Sequence, residues 1–404
     1  MKIFSLSYLY NNSKIIRNAA LCVSFLIFSP IIIVFYIIKP FHHVKFVRLR
    51  DDRIGNLAMN TELFLRRVKL EIYKKNVFYV GIASKNPCNN QLLTMFKRAV
   101  LVIQVPKFIE ILFNILSDKK NFLKEIVLYP GFVEYRDAYY EFNNARPSLQ
   151  FNKPEEKEGR ALLEKMKVRD NWFICFQSRD SSYLKKAFKK MDGSYHNHRD
   201  CKIENYLKAA EYITKQGGYA IRMGSIVKKK LLHLKNKKII DYATHFRTDF
   251  LDIYLPAKCK FFLSSNAGLF QVSTLFNVPV AHANLIPVNY PTYRKEDLFI
   301  PKKIWSKKKK RFLTFREIVN SGAGEFVSTE KYEKANLTAI ENTSEEILDL
   351  AIEMNERLDG TWKTTKTDEE LQKRFKSLFK NSRCYDFPSR IGAQFLRQNQ
   401  NLLE

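Results

Sequence analysis

Residues 258–280 read Lys-Cys-Lys-Phe-Phe-Leu-Ser-Ser-Asn-Ala-Gly-Leu-Phe-Gln-Val-Ser-Thr-Leu-Phe-Asn-Val-Pro-Val, which is a strand, a Ser/Asn/Gly turn, a short helix and a second strand. Strands joined through a helix run parallel, so this segment commits the chain to a layered α/β fold. The apolar run at 261–263 can be buried on both faces of a sheet. Ser264, Ser265 and Asn266 can cap a helix that Gly268 opens and that ends near Asn277. The first N–H groups of such a helix lack internal partners and carry partial positive charge, so an anion placed there is stabilised. Ligands of open α/β sheets bind at this carboxyl edge. The same spacing also fits an ordinary capped β-α-β unit without a ligand.

The alternation extends over most of the 404 residues. A strand is expected at 44–49, a polar loop at 51–56, an amphipathic helix at 57–73 and a strand at 77–82. Helical patterns follow at 91–95 and 107–116. A second series opens with a strand at 172–177 and a long polar loop at 178–200. It continues with a helix at 203–215, a Gly217-Gly218 stop, a strand at 219–222 and a short helix at 249–255. The expected organisation is an N-terminal anchor over 1–40, a Rossmann-like domain over 41–152 and a second over 153–300. A basic loop at 302–311 opens a helical extension over 301–404. Within it, Thr343-Ser344-Glu345-Glu346 forms a capping box ahead of an amphipathic helix through 358, and more helix follows to about 379.

Residues 19–38 are almost uninterruptedly apolar, close to the roughly 20 residues that cross a bilayer. No small-residue cleavage site follows, so an uncleaved membrane anchor is expected, with Pro30 kinking a spanning helix or bending one that returns. The flanking Lys and Arg favour a cytoplasmic body. The net charge of +28 comes from scattered short lysine runs and not from a stripe interleaved with aromatics, and no nucleic-acid recognition motif occurs. The six cysteines have no CxxC spacing, which fits reduced thiols and neither a zinc ribbon nor a disulfide framework.

Three strand ends in the second half carry groups suited to phosphate: Arg179-Asp180, Arg222 with Gly224-Ser225, and Ser264-Ser265-Asn266. In a parallel sheet all three face one edge, and Arg donates bidentately to phosphate oxygens. In the first half, Arg53-Ile54-Gly55-Asn56 is expected in the loop after the first strand, where Gly55 allows close backbone approach and Arg53 and Asn56 supply donors. Asn56 as a plain helix cap is the competing reading. His196-Asn197-His198-Arg199-Asp200 reads as an active-site loop in which a His or Asp takes a proton from a hydroxyl. A metal pair or a solvated loop is the other option. No D-x-D, P-loop, G-x-G-x-x-G or G-x-S-x-G motif is present.

Residues 52–57, 175–180 with 195–200, 217–225 and 262–279 together resemble a little-characterised bacterial glycosyltransferase family of GT-B architecture, two Rossmann-like domains facing a cleft. More distantly, Arg53-Ile54-Gly55-Asn56 and Phe176-Gln177-Ser178-Arg179 resemble fucosyltransferase motifs, with Gln177 where those enzymes carry His. The resemblance implies sugar transfer from a nucleotide diphosphate sugar to a cell-envelope glycan or lipid-linked acceptor. Neither metal nor other cofactor is implied, and the partners would be the membrane, here a bacterial inner membrane, and not nucleic acid. Donor binding would fall to Arg53, Gly55, Asn56, Arg179, Arg222, Gly224, Ser225, Ser264, Ser265, Asn266 and Gly268. Asp180, His198, Asp200 and Glu62 are the candidates for the catalytic base. A non-catalytic, membrane-tethered protein binding an anionic envelope polymer is the alternative.

Overall fold

The computed structural model describes residues 14–38, 43–74, 76–116, 127–128, 138–169, 172–183, 193–231, 235–382 and 385–404. The chain divides into two compact units, residues 1–134 and 135–404. Both are mixed α/β with a parallel sheet at the centre.

In the first unit, helix α1 (Lys14–Ile38) precedes β1 (His43–Arg48), α2 (Ile54–Lys69), β2 (Val77–Ser84), α3 (Asn90–Lys97), β3 (Leu101–Val105), α4 (Lys107–Leu116) and β4 (Val127–Leu128). The strands form a parallel sheet in the order β3-β2-β1-β4. Asp51, just after β1, accepts hydrogen bonds at 2.7 Å from both the N–H and the hydroxyl of Ser84 at the end of β2. Its buried carboxylate thus locks two strand ends together. Helix α2 starts before the expected position: Arg53 is its N-cap, so Gly55 and Asn56 lie in its first turn and not in a loop.

The apolar segment forms α1, with Pro30 inside it. Phe28 of α1 meets Phe113 of α4 edge-on at 6.3 Å, and Phe113 meets Phe46 of β1 at 6.1 Å, over a cluster that includes Val80 and Ile82. Among the described residues no helix is long and apolar enough to cross a membrane, so the spanning anchor expected over 19–38 is without support.

The second unit runs α5 (Tyr139–Asn144), α6 (Lys153–Lys165), β5 (Phe173–Phe176), a 3-10 turn (Gly193–Arg199), α7 (Leu207–Lys215), β6 (Tyr219–Arg222), β7 (Ile239–Ile240), α8 (Tyr242–His245), α9 (Leu251–Lys258), β8 (Phe262–Ser264), α10 (Phe270–Leu275), β9 (Val280–Leu285) and β10 (Leu298–Pro301). Then come β11 (Lys303–Ser306), β12 (Arg311–Phe312), α11 (Phe315–Asn320), α12 (Thr329–Lys334), β13 (Leu337–Ile340), α13 (Ser344–Asp359), α14 (Lys366–Ser377), β14 (Arg390–Ile391) and α15 (Ala393–Gln398). Seven parallel strands stand in the order β14-β10-β9-β8-β5-β6-β7. The sheet starts at β5, grows one way through β6 and β7, and then reverses through β8, β9 and β10.

Residues beyond 300 belong to this same unit. β14 pairs with β10, and Phe375 of α14 packs with Phe299 of β10 and with Phe387. The stretch expected as a basic loop at 302–311 is a β-hairpin, extended by β13 into a three-stranded antiparallel sheet. Its lysines 307–310 occupy only the turn, because Trp305 and Phe312 pack edge-to-face across the strands at 5.2 Å. The capping box at Thr343 and Glu346 forms as the sequence indicates and starts α13.

Candidate functional site

β5 and β8 are adjacent and parallel, pairing Cys175 with Phe262 and Phe176 with Leu263, so they release their loops side by side at the carboxyl edge. This is the point where strand order reverses, and the two loops part to leave a crevice there in folds of this type. Here they are joined: Arg179 donates its backbone N–H to Ser265 Oγ at 2.8 Å, and Gln177 donates its own to the Leu263 carbonyl at 3.1 Å. Ser264 and Ser265 are fully buried.

The helix after this turn is shorter than the spacing suggests. It begins at Phe270, has six residues and receives no side-chain cap, so Ser264, Ser265 and Asn266 do not cap it and Gly268 lies ahead of it. Asn266 is engaged elsewhere. Its Oδ1 accepts from the Ile286 N–H at 3.0 Å and lies 3.1 Å from His282 Nε2, while its Nδ2 donates to the Ile286 carbonyl. The amide thereby ties the exit of β8 to the end of β9 and has nothing left for a helix terminus.

The 3-10 turn Gly193–Arg199 is held against this edge by two cations from distant parts of the chain and by its own Arg199. Arg179 donates to the His196 carbonyl at 3.1 Å and pairs with Asp200. Lys302, buried at the end of β10, donates through Nζ to the carbonyls of Asp200 at 2.6 Å and His198 at 3.1 Å. Arg199 donates to the Asn266 carbonyl. Burial lowers the pKa of Arg179 and of Lys302 and raises that of Asp200, while the attraction between Asp200 and the two cations opposes those shifts.

His198 is oriented by Thr329. The Thr329 hydroxyl gives its one proton to the Ser194 carbonyl at 3.0 Å, and its oxygen receives the His198 backbone N–H at 3.2 Å and faces His198 Nδ1 at 3.1 Å. Nδ1 therefore carries the hydrogen. Nε2 is left as a buried acceptor with no partner among the described residues. Burial first, then Arg199, Arg179 and Lys302, push the imidazole pKa down to about 3, so the ring is neutral at physiological pH.

The other expected site residues are placed differently. Asp180 accepts from the backbone N–H of Ser182 at 2.8 Å and of Lys228 at 3.0 Å, linking the loops that follow β5 and β6. Arg222 does not present a free guanidinium: it is buried, paired with Asp241 at 2.8 Å and bonded to the Lys229 carbonyl at 3.0 Å. Gly224 has φ +148°, and a Cβ there would sit 2.7 Å from Val227 Cγ1, so the turn beside the half-buried Ser225 requires glycine. Arg53, Gly55, Asn56 and Glu62 belong to the first unit. There Asn56 donates to Asp52 at 3.3 Å, and Glu62 is fully buried against Arg66 at 2.7 Å. Among the described residues no group of three His, Cys, Asp or Glu is placed to hold a metal ion.

Lys302, Thr329 and His282 escaped the sequence reading as site residues, and Arg199 entered it only as part of the active-site loop at 196–200. Only the strand-end position of Lys302, directly after Ile300-Pro301, hinted at a place on the carboxyl edge.

No protein family matches the chain, and no curated protein does. Among solved structures, it is similar to the ADP-heptose lipopolysaccharide heptosyltransferase II of E. coli, with 14% identity and a TM-score of 0.41 over 63% of this chain and 90% of that one. A family 9 glycosyl transferase from Veillonella parvula overlaps at 11% identity and a TM-score of 0.44, covering 76% and 97% of the two chains. The iron-containing dodecameric glycosyltransferase TibC of enterotoxigenic E. coli overlaps at 10% identity and a TM-score of 0.37, covering 63% and 62%. All three scores are below 0.5.

Proposed function

We propose that the chain is a glycosyltransferase that moves a sugar from a nucleotide diphosphate sugar to a glycan or lipid-linked acceptor, with no metal ion or other cofactor required. The observation that carries this reading is the gathering of Arg179, Arg199 and Lys302 around the loops at the strand-order reversal, where Asp200 pairs with Arg179 and Asp180 and Glu341 act from nearby. Such a cluster of fixed positive charge suits a diphosphate.

As the glycosidic bond breaks, negative charge accumulates on the leaving diphosphate. Cations already fixed by the fold stabilise that state more than the ground state, with no reorganisation at the moment of reaction. Arg199, half-buried and bound to a loop carbonyl, is the group able to turn to the phosphate, while Arg179 and Lys302 hold the turn and add to the field. The unpartnered Nε2 of His198 accepts the proton or hydrogen bond of an acceptor hydroxyl. A bound diphosphate beside it raises its basicity by offsetting the neighbouring cations. Asp180 and Asp200 are engaged by backbone and guanidinium donors, and Glu62 by Arg66, so His198 is the first candidate for the base.

Thermal denaturation of the full chain with UDP, GDP, ADP, dTDP and CMP tests the reading. One nucleoside diphosphate should raise the melting temperature, and Arg199→Ala should remove that rise. Stabilisation by a polyanion with none from any nucleotide would point instead to the non-catalytic reading.

A further inference from the structure

Helix α1 is apolar around most of its circumference, yet among its described side chains only Ser24 is fully buried while Val23, Leu26, Ile33, Val34 and Ile37 are exposed. Phe28 packs edge-on against Phe113 at 6.3 Å. At about 100° per residue, positions 23, 26, 34 and 37 lie on the opposite side. There Leu26 is 71% exposed and Ile37 66%. The apolar surface continues on α4, where Phe108 is 61% exposed beside Ile111. It extends to the uncovered part of the sheet, because Phe78 of β2 and Leu101 of β3 share a face with Val80 and Val105 of the underlying cluster. Soluble monomers rarely expose contiguous apolar patches of more than a few hundred Å².

Charge identifies what covers this face. The first fifty residues contain seven Lys or Arg and no Asp or Glu, Lys14 and Arg17 open α1 itself, and the whole chain carries +28. A second copy would bring the same positive charge to the same face. An apolar helix flanked in sequence by cations, with Glu110 of α4 the carboxylate on the neighbouring helix, matches the boundary between headgroups and acyl chains of an anionic bilayer.

We propose that α1 is an in-plane interfacial helix: its inner side is fastened to its own domain, and its outer side, with the exposed edge of α4, enters one leaflet of an anionic membrane. The first unit sits on the bilayer and does not hang from a spanning anchor. The inference is independent of the proposed activity.

Flotation of the full chain with sealed vesicles tests it. The chain should float with vesicles of phosphatidylcholine and phosphatidylglycerol about tenfold more than with phosphatidylcholine alone, and less at high salt. The double substitution Leu26→Asp/Val34→Asp should lower the bound fraction by about tenfold or more without moving the melting temperature, since both side chains are exposed. Phe108→Asp, on a separate helix, should lower it in part and decides the matter if the double variant fails to fold. In a background without the native cysteines, Lys14→Cys and His43→Cys on bound protein should both react with an impermeant maleimide added outside. Absence of flotation, wild-type flotation by the variants, protection of one of the two sites, or a dimer broken by Leu26→Asp/Val34→Asp without lipid binding would each overturn the proposal.

Discussion

Arg179 and Ser265 lie 86 residues apart, yet the backbone N–H of the first is bonded to the hydroxyl of the second at 2.8 Å, across the point where the strand order of the second unit reverses. The bond draws the loops of β5 and β8 together and sets the position from which Arg179 reaches the 3-10 turn.

Ser265→Ala removes this acceptor inside a fully buried site and leaves the Arg179 N–H unpaired. A loss of roughly 1–3 kcal/mol in stability is expected, with weaker nucleotide binding. Chemical denaturation and a binding titration check both; unchanged binding in a destabilised variant would separate the bond from ligand recognition.

Arg199 and Arg179 should respond differently to removal. Arg199→Ala deletes a half-buried guanidinium that donates to the Asn266 carbonyl and acts on Asp200, so nucleotide affinity should fall by about 10- to 100-fold while stability falls by about 1.5 kcal/mol. Arg179→Ala should lower kcat/KM by about a hundredfold or more, but it also strands the Asp200 carboxylate and must cost stability as well. Parallel melting and kinetic measurements distinguish the two.

Arg222 and Asp241 form a buried pair, so Arg222→Ala alone should destabilise the protein by roughly 3–5 kcal/mol. Arg222→Met with Asp241→Leu should recover part of that loss. Retained nucleotide binding in the double variant would show that Arg222 supports the sheet edge and does not hold the donor.

His282 is buried, and burial, with a smaller contribution from Arg199, lowers its pKa from 6.5 to about 3. The unfolded chain therefore binds the extra proton between those values, and the stability His282 contributes above pH 6.5 is lost as pH falls through that window. Asp297 and Asp252, raised by burial to about 7 and about 6, act in the opposite sense and mask the effect in the wild type. Comparison with His282→Gln isolates it: the stability difference should shift against the wild type by about 1.4 kcal/mol per pH unit below 6.5. A pH-independent difference would mean the imidazole is not held neutral.

Gly159→Ala should destabilise although alanine is the better helix former by about 1 kcal/mol. A Cβ at this buried position of α6 would lie 2.1 Å from the Tyr254 ring, and that ring is packed between Phe151 and Phe250. A lower melting temperature checks it; a rise would mean that Tyr254 can move aside.

The local alternation of apolar runs, glycine stops and capping residues was enough to indicate two parallel α/β units, the helix started by Thr343 and the strand ends at Arg179, Arg222 and Ser264, because these depend on neighbours a few residues apart. The partner of each polar group did not follow from it. Arg222 has a strand-end position as suitable as that of Arg179, but β7 brings Asp241 against it, and a buried guanidinium takes the nearest carboxylate. Asn266 reads as a cap, yet the end of β9 satisfies its amide first. Lys302 reaches the Asp200 carbonyl across 102 residues only because β10 lies on the same edge as β5. The sequence by itself determined which residues arrive at the carboxyl edge. Tertiary structure decided which of them keep free donors and acceptors there, since strand order is set by packing between distant segments and each buried polar group must be satisfied by whatever that order places beside it.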